Sequence, residues 1–237
     1  MAGQPYDAHG QGCLVCGAEL LYGKARLRSC HYCGVEEHGE AACENGHFIC
    51  DGCHALPAEE LIITSCLASE EKDPLRLAED LMRDPRVKMH GPEHHFLVPA
   101  VLLSAISNLR GEKKLKARRL ELARERAGQV RGGFCGHHGA CGAGIGAGIF
   151  VSVLLEASPL SSREWQLANL ATANALQKIA APGGPRCCKR DTFLAVREAV
   201  AFVEEHFAEK LPVSERVQCH FHARNRECLL SGCPFYP

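Results

Sequence analysis

Cysteine and histidine dominate the residues able to do chemistry, with 15 and 13 of them in a chain of 237 residues. Two pairs have the form of a metal knuckle, Cys13-Leu-Val-Cys16-Gly and Cys30-His-Tyr-Cys33-Gly. The tight turn of Cys-x-x-Cys faces both sulfurs toward one ion at about 2.3 Å, and the glycine after the second cysteine lets the backbone turn back. A third group, Cys43, His47, Cys50 and Cys53, makes eight ligands, enough for two closed tetrahedral zinc sites. Consecutive pairing would put Cys13, Cys16, Cys30 and Cys33 on one ion and the third group on the other. Interleaved pairing would join Cys13 and Cys16 to Cys43 and His47, and Cys30 and Cys33 to Cys50 and Cys53. The spacing leaves both open, with a lean toward interleaving because Cys50 and Cys53 lead into a helix as in a treble clef. A site closed by four protein ligands has no position for substrate, so both zinc ions are expected to be structural. His31, His38 and His54 fall outside the ligand sets.

A second constellation is His90-Gly-Pro-Glu93-His94-His95. It matches His-x-x-Glu-His, in which two histidines on one helical face bind zinc and the glutamate is the base. Here Gly91 and Pro92 stand between the histidines, and proline in a helix interior removes a hydrogen bond, so the helix is expected to start only at Pro92 with His90 outside it. Glu93, His94 and His95 then occupy a first helical turn, where free amides favour an anion.

The third is Cys135-Gly-His137-His138-Gly-Ala-Cys141, set in the glycine-rich stretch 132–148. So many glycines beside thiols and imidazoles point to a backbone that passes close to something bulky. Downstream, Cys187 and Cys188 lie between Arg186 and Lys189-Arg190, cations that would stabilise a thiolate. The tail adds Cys219, Cys228 and Cys233. Cys135, Cys141, Cys187, Cys188, Cys219, Cys228 and Cys233 are candidate ligands of an iron-sulfur cluster or other cofactor. His90, Glu93, His94, His95, His137 and His138 are candidate catalytic residues. Adjacent cysteines do not easily face one metal, so at most one of Cys187 and Cys188 is expected to be a ligand, in a cluster with Cys135 and Cys141, leaving the other free or reactive. Cys66 stands alone in an aliphatic segment and reads as core.

The elements that must position these residues are mostly helical. Residues 1–55 hold seven cysteines and few large aliphatics, so a zinc-binding module there depends on its metal to fold. Residues 56–237 read as a helical domain with a Cys/His-rich site and a cysteine-rich tail. Helices are expected over 58–67 after Pro57, over 75–83 with Pro74 in the first turn, and from Pro92 to about Gly111. Val98, Val101, Leu102, Ala105, Ile106 and Leu109 form one stripe of the third, which Pro99 is expected to kink or restart. Residues 112–126 are strongly basic but have apolar positions at Leu115 and Leu122, so a solvated helix is expected rather than a nucleic-acid face. A capping box of Ser161 and Glu164 starts a helix to about Ala180, and Asp191 is placed to cap a last one over 192–207. The fold class is therefore mainly α, a helical domain with an N-terminal zinc-ribbon or treble-clef-like module.

The most apolar stretch, residues 143–155, is too short and too rich in glycine to span a bilayer. Met1 to Gly12 carries no apolar signal core, so a cytoplasmic location is expected, where thiols stay reduced and serve as ligands or nucleophiles. A net charge of -1 gives no general attraction to nucleic acid. The order of the knuckles, the His90–His95 motif, Cys135-Gly-His-His-Gly-Ala-Cys141-Gly-Ala, the Cys187–Cys188 pair and the cysteine-rich tail resembles an uncharacterised bacterial and archaeal cysteine-rich family of unknown function, sometimes joined to or beside SAM-dependent methyltransferases. Locally, Ala140-Cys141-Gly-Ala with Arg186-Cys187-Cys188 is similar to redox-associated proteins with a Gly-Cys-Ala signature. The expected function is an enzyme or a redox, sulfur or one-carbon transfer protein with a cysteine-ligated metal centre, served by a redox partner. The alternative is a zinc-binding scaffold that docks a methyltransferase or RNA.

Overall fold

A computed structural model describes residues 12–13, 15–16, 18–31 and 34–237. Among the described residues a two-stranded antiparallel sheet, β1 (Leu20–Ser29) and β2 (Glu36–Cys43), precedes eight α-helices. These are α1 (Asp51–Ala68), α2 (Pro74–Arg83), α3 (Glu93–Arg110), α4 (Lys113–Ala127), α5 (Phe134–His137), α6 (Gly142–Leu154), α7 (Arg163–Ala180) and α8 (Cys188–Phe207). No helix is long and apolar enough to cross a membrane among the described residues.

The helical part is built around α3, which touches α1, α2, α4, α6 and α8. Every residue from Phe96 to Ser107 is buried. The expected stripe is therefore too narrow: a helix with neighbours on all sides buries Leu97, Ala100 and Leu103 as well. Pro99 stays inside the helix instead of restarting it. Its missing N–H leaves the His95 carbonyl without a helical donor, and α6 takes up that space. A Cβ on Gly146 would lie 2.9 Å from this carbonyl oxygen and 3.0 Å from Pro99.

The glycines of 142–148 lie within α6 rather than in a loop before it. Gly142 and Gly146 face α3 at His95 and Pro99, while Gly144 and Gly148 face α7 at Leu176 and Thr172. Spacing of four puts each pair on one helix face. Each glycine costs about 1 kcal/mol of helix propensity, which close packing on both sides offsets.

Three helix starts differ from expectation for reasons outside the local sequence. α1 begins at Asp51, not after Pro57, because Cys50 caps it and its sulfur accepts from the Cys53 amide at 3.4 Å. Residue 55 thus lies within an unbroken helix that runs from the cysteine module into the core. Ser161 makes no capping box: its hydroxyl accepts from the Ser158 amide at 3.0 Å, and Ser162 occupies the N-cap of α7 without a side-chain bond. Asp191 lies inside the first turn of α8, buried and bonded to Arg190 at 3.0 Å.

Elsewhere the pattern holds. Asp73 caps α2 by accepting from Leu75 and Arg76. Phe193, Val196, Val200 and Val203 are buried on α8, and Cys66 is core. In α4, by contrast, the expected apolar side is not the buried one: Leu115 is exposed and Leu122 half-buried, while Lys116, Leu120, Ala123 and Ala127 are buried. The Lys116 ammonium donates to the carbonyls of Cys66 and Ser69 at 3.0 and 2.8 Å, closing the end of α1. A Cβ on Gly148 would meet Thr172 Oγ1 at 1.9 Å and the Ala168 carbonyl at 2.9 Å, whereas one on Gly136 meets nothing within 4 Å. Gly148→Ala is expected to destabilise the fold by about 1–3 kcal/mol in urea titration, and Gly136→Ala to leave it within about 1 kcal/mol of wild type.

Candidate metal centres

Strand pairing assembles the first site. The register places Leu20 opposite Cys43, so the segment before β1 meets the end of β2. There Cys13, Cys16, Cys43 and His47 bring their ligand atoms within 4.8 Å of one another. The sulfurs of Cys16 and Cys43 are 3.8 Å apart, which is the edge of about 3.8 Å that a tetrahedron with metal–sulfur bonds of about 2.3 Å requires. His47 Nδ1 lies 3.3, 3.4 and 3.8 Å from the sulfurs of Cys16, Cys43 and Cys13. The donor set and its dimensions fit zinc. Asn45 Nδ2 at 3.5 Å and the Ala18 amide hold the Cys16 thiol down to about 6, toward the thiolate a metal takes.

The second set is Cys30, Cys50 and Cys53, again within 4.8 Å. Cys33 lies outside the described residues. Cys30 ends β1 in a knuckle turn, with its amide on the Val35 carbonyl and the His31 amide on that of Phe48. The Cys50 amide donates to the Cys30 sulfur at 3.3 Å. The grouping is interleaved: Cys13 and Cys16 join Cys43 and His47, while Cys30 joins Cys50 and Cys53.

The His90–His95 motif spreads in several directions. His94 donates from Nε2 to the Lys88 carbonyl at 3.1 Å and accepts at Nδ1 from the Thr192 hydroxyl at 2.9 Å. Both nitrogens are spent, and burial lowers its pKa to about 3, so the pattern read as His-x-x-Glu-His holds no metal through His94. His90 points to the tail, with Nε2 3.0 Å from Glu227 and 3.3 Å from Asn225 Oδ1. Glu93, wholly buried, accepts at Oε1 from the Lys88 amide at 2.8 Å. Its Oε2 faces His54 Nδ1 at 3.6 Å, and neither atom has a hydrogen bond. Burial works against the Glu93 carboxylate, but His54 outweighs it and holds the group at about 2. His54, set aside in the sequence, is therefore engaged with the helical part. His95 donates from Nδ1 to the Val130 carbonyl at 3.0 Å and packs against Gly142, next to Cys141.

Around α5, the Gly132 amide donates to Asp51 at 2.6 Å and His137 contacts Glu40 at 2.6 Å, both partners belonging to the segment that carries the N-terminal cysteine groups. His138 is exposed and stacks on Phe134. The Cys141 thiol donates to Asp191 at 3.7 Å, and burial pushes it up to about 12. The cations near Cys187 and Cys188 do not produce thiolates. Lys189 is buried on the carbonyls of Met82 and Val87, Arg190 pairs with Asp191, and Arg186 bonds Tyr22. Burial outweighs them and pushes Cys187 up to about 11 and Cys188 well above the usual thiol range.

The neighbours Cys187 and Cys188 face different surroundings. Cys188 is buried beside the Gly91 amide, which opposes the upward shift without overcoming it. Cys187 lines a cavity with Cys219, Cys228 and Cys233, walled by Phe193, Phe221 and Phe235. The tail is tied in place by the Cys219 amide on the Phe235 carbonyl at 2.8 Å. Amides of Phe221 and Leu230 donate to the sulfurs of Cys219 and Cys228 at 3.3 and 3.4 Å. These four sulfurs form no set as tight as the two N-terminal groups, which among the described residues are the ones whose ligand atoms close to within 4.8 Å. Asp191, His54, Asp51 and Asn225 carry no sequence signal that predicts these contacts.

The chain belongs to a family of unknown function, DUF5714, whose model matches residues 62–236. The cysteine module lies before the matched region. No curated protein and no solved structure matches the chain.

Cys16 and Cys43 share an ion in the interleaved arrangement, so a Cys16→Ser/Cys43→Ser double variant is expected to lose one equivalent of zinc; consecutive pairing would lose two, as metal analysis of purified protein would show. For His94, a folded pKa near 3 against 6.5 unfolded means the unfolded chain takes up the proton first as pH falls. Stability is then lost between pH 6.5 and about 3, by up to about 1.4 kcal/mol per unit. His94→Gln should flatten the acid limb of the stability–pH curve relative to wild type, measured by urea titration at each pH.

Proposed function

We propose that this chain is an electron-transfer metalloprotein, with two zinc ions folding its N-terminal module and an iron-sulfur cluster held by Cys187, Cys219, Cys228 and Cys233. The observation that carries this reading is the aromatic-walled cavity lined by those four cysteines. A single tetrahedral ion needs its sulfurs about 3.8 Å apart, as at Cys16 and Cys43. No three of the cavity sulfurs close to within 4.8 Å of one another, and a polynuclear centre spreads its four thiolate ligands over a wider span than a single ion does.

The chain's own residues supply what such a centre needs. The amides of Phe221 and Leu230 donate to sulfur, and hydrogen bonds of this kind help set a cluster's reduction potential. Phe193, Phe221 and Phe235, all buried, limit water. Cys187 stands at the N-cap of α8, whose positive end favours a thiolate once iron replaces the proton. His90, through Asn225 and Glu227, holds the loop that carries Cys228. When bound, the cluster supplies one-electron transfer to and from a redox partner protein.

Anaerobically purified or reconstituted protein is expected to contain iron and sulfide and to show visible sulfur-to-iron charge-transfer absorbance. Cys219→Ser and Cys228→Ser should each abolish or sharply reduce it, whereas Cys135→Ser, Cys188→Ser and Cys66→Ser should retain it. Zinc in place of iron at the tail, or colour that depends on Cys135 or Cys188, would overturn the assignment.

A further inference from the structure

The zinc module is seated on the segments that carry the remaining thiols. Asp51, the first residue of α1, accepts from the Gly132 amide at 2.6 Å, and Glu40 of β2 contacts His137 at 2.6 Å. Between these two anchors lies α5, only four residues long, with Cys135 inside it. A helix of one turn has no stability of its own, because nucleation is unfavourable and nothing is propagated. Its order therefore comes from tertiary contacts. Both anchors on the module stand close to proposed ligands: Asp51 follows Cys50, and Glu40 is three residues before Cys43. A third contact marks the same junction, where His54 next to Cys53 faces the buried Glu93 at 3.6 Å.

We infer that the N-terminal module is a metal-dependent clamp on residues 132–138, so that zinc occupancy controls the order of α5 and the reactivity of Cys135. The inference rests on the two N-terminal sites being zinc sites. Without metal the knuckles have only the small cluster of Phe48 and Ile49 around the cysteines to hold them, the first turn of α1 loses the fold that places Asp51 and His54, and β2 loses the end that places Glu40. The segment 132–138 then loses both anchors and Cys135 its local structure.

The test combines amide hydrogen exchange with alkylation by iodoacetamide, resolved by mass spectrometry, on the full chain before and after zinc removal by a chelator. Removal is expected to speed exchange across 132–138 and alkylation of Cys135 at least tenfold, with Cys66 and α3 unchanged. An Asp51→Ala/His137→Ala double variant keeps all proposed ligands and should reproduce both effects with its zinc content intact. Protein that contains no zinc as purified or after reconstitution would refute the zinc reading itself. Zinc that is bound and removable while residues 132–138 stay protected would refute the clamp alone, as would a double variant as protected as wild type. Should zinc removal loosen the whole chain, the double variant decides.

Discussion

The packing of α6 against α3 is the contact on which the rest of the helical part depends. Pro99 leaves the His95 carbonyl without a helical donor, and Gly146 allows α6 to lie against it. That approach puts His95 beside Gly142 and so sets Cys141, the N-cap of α6, against Asp191 of α8. The opposite face of α6 uses Gly144 and Gly148 to bring in α7. One glycine-rich helix thus joins the central helix to its outer neighbours, and side chains at these positions would push the layers apart.

The buried polar groups sort by how completely they are satisfied. His94, Lys116 and Lys189 each spend their hydrogen-bonding groups on backbone carbonyls or a hydroxyl, and they pin elements together. Glu93 and His54 differ, since each leaves a buried atom without a hydrogen bond at the place where the cysteine module meets the helices. An unsatisfied buried group costs about 1–3 kcal/mol, and at this junction the attraction between His54 and the Glu93 carboxylate works against that cost.

The cysteines divide by environment. In the N-terminal module Cys13, Cys16 and Cys43 with His47, and separately Cys30, Cys50 and Cys53, each stand within one ion's coordination distance, and Asn45 helps Cys16 toward the thiolate. Cys66 is inert, its thiol pushed up to about 12 by burial. Cys187 and the tail cysteines share an aromatic cavity whose amides already point at sulfur. Burial that disfavours a free thiolate is compatible with ligation, because the metal replaces the proton and neutralises the charge that burial penalises.

The sequence by itself determined what depends on neighbours in the chain. The Cys-x-x-Cys knuckles, the proline at the start of α2, the stripe of α8 and the mainly helical class follow from turn chemistry and periodicity over a few residues. The tertiary structure decided what depends on residues far apart. Interleaving of the knuckles follows from the pairing of β1 with β2, which brings Cys43 to Cys16. The start of α1 at Asp51 follows from the sulfur cap at Cys50, and the separation of Cys187 from Cys188 follows from where α8 meets the tail and Gly91. The His90–His95 residues looked like one site because they are close in sequence, but His90 lies before α3, and within α3 successive side chains turn by about 100° per residue. Three different neighbours, the tail, α8 and α6, therefore receive His90, His94 and His95.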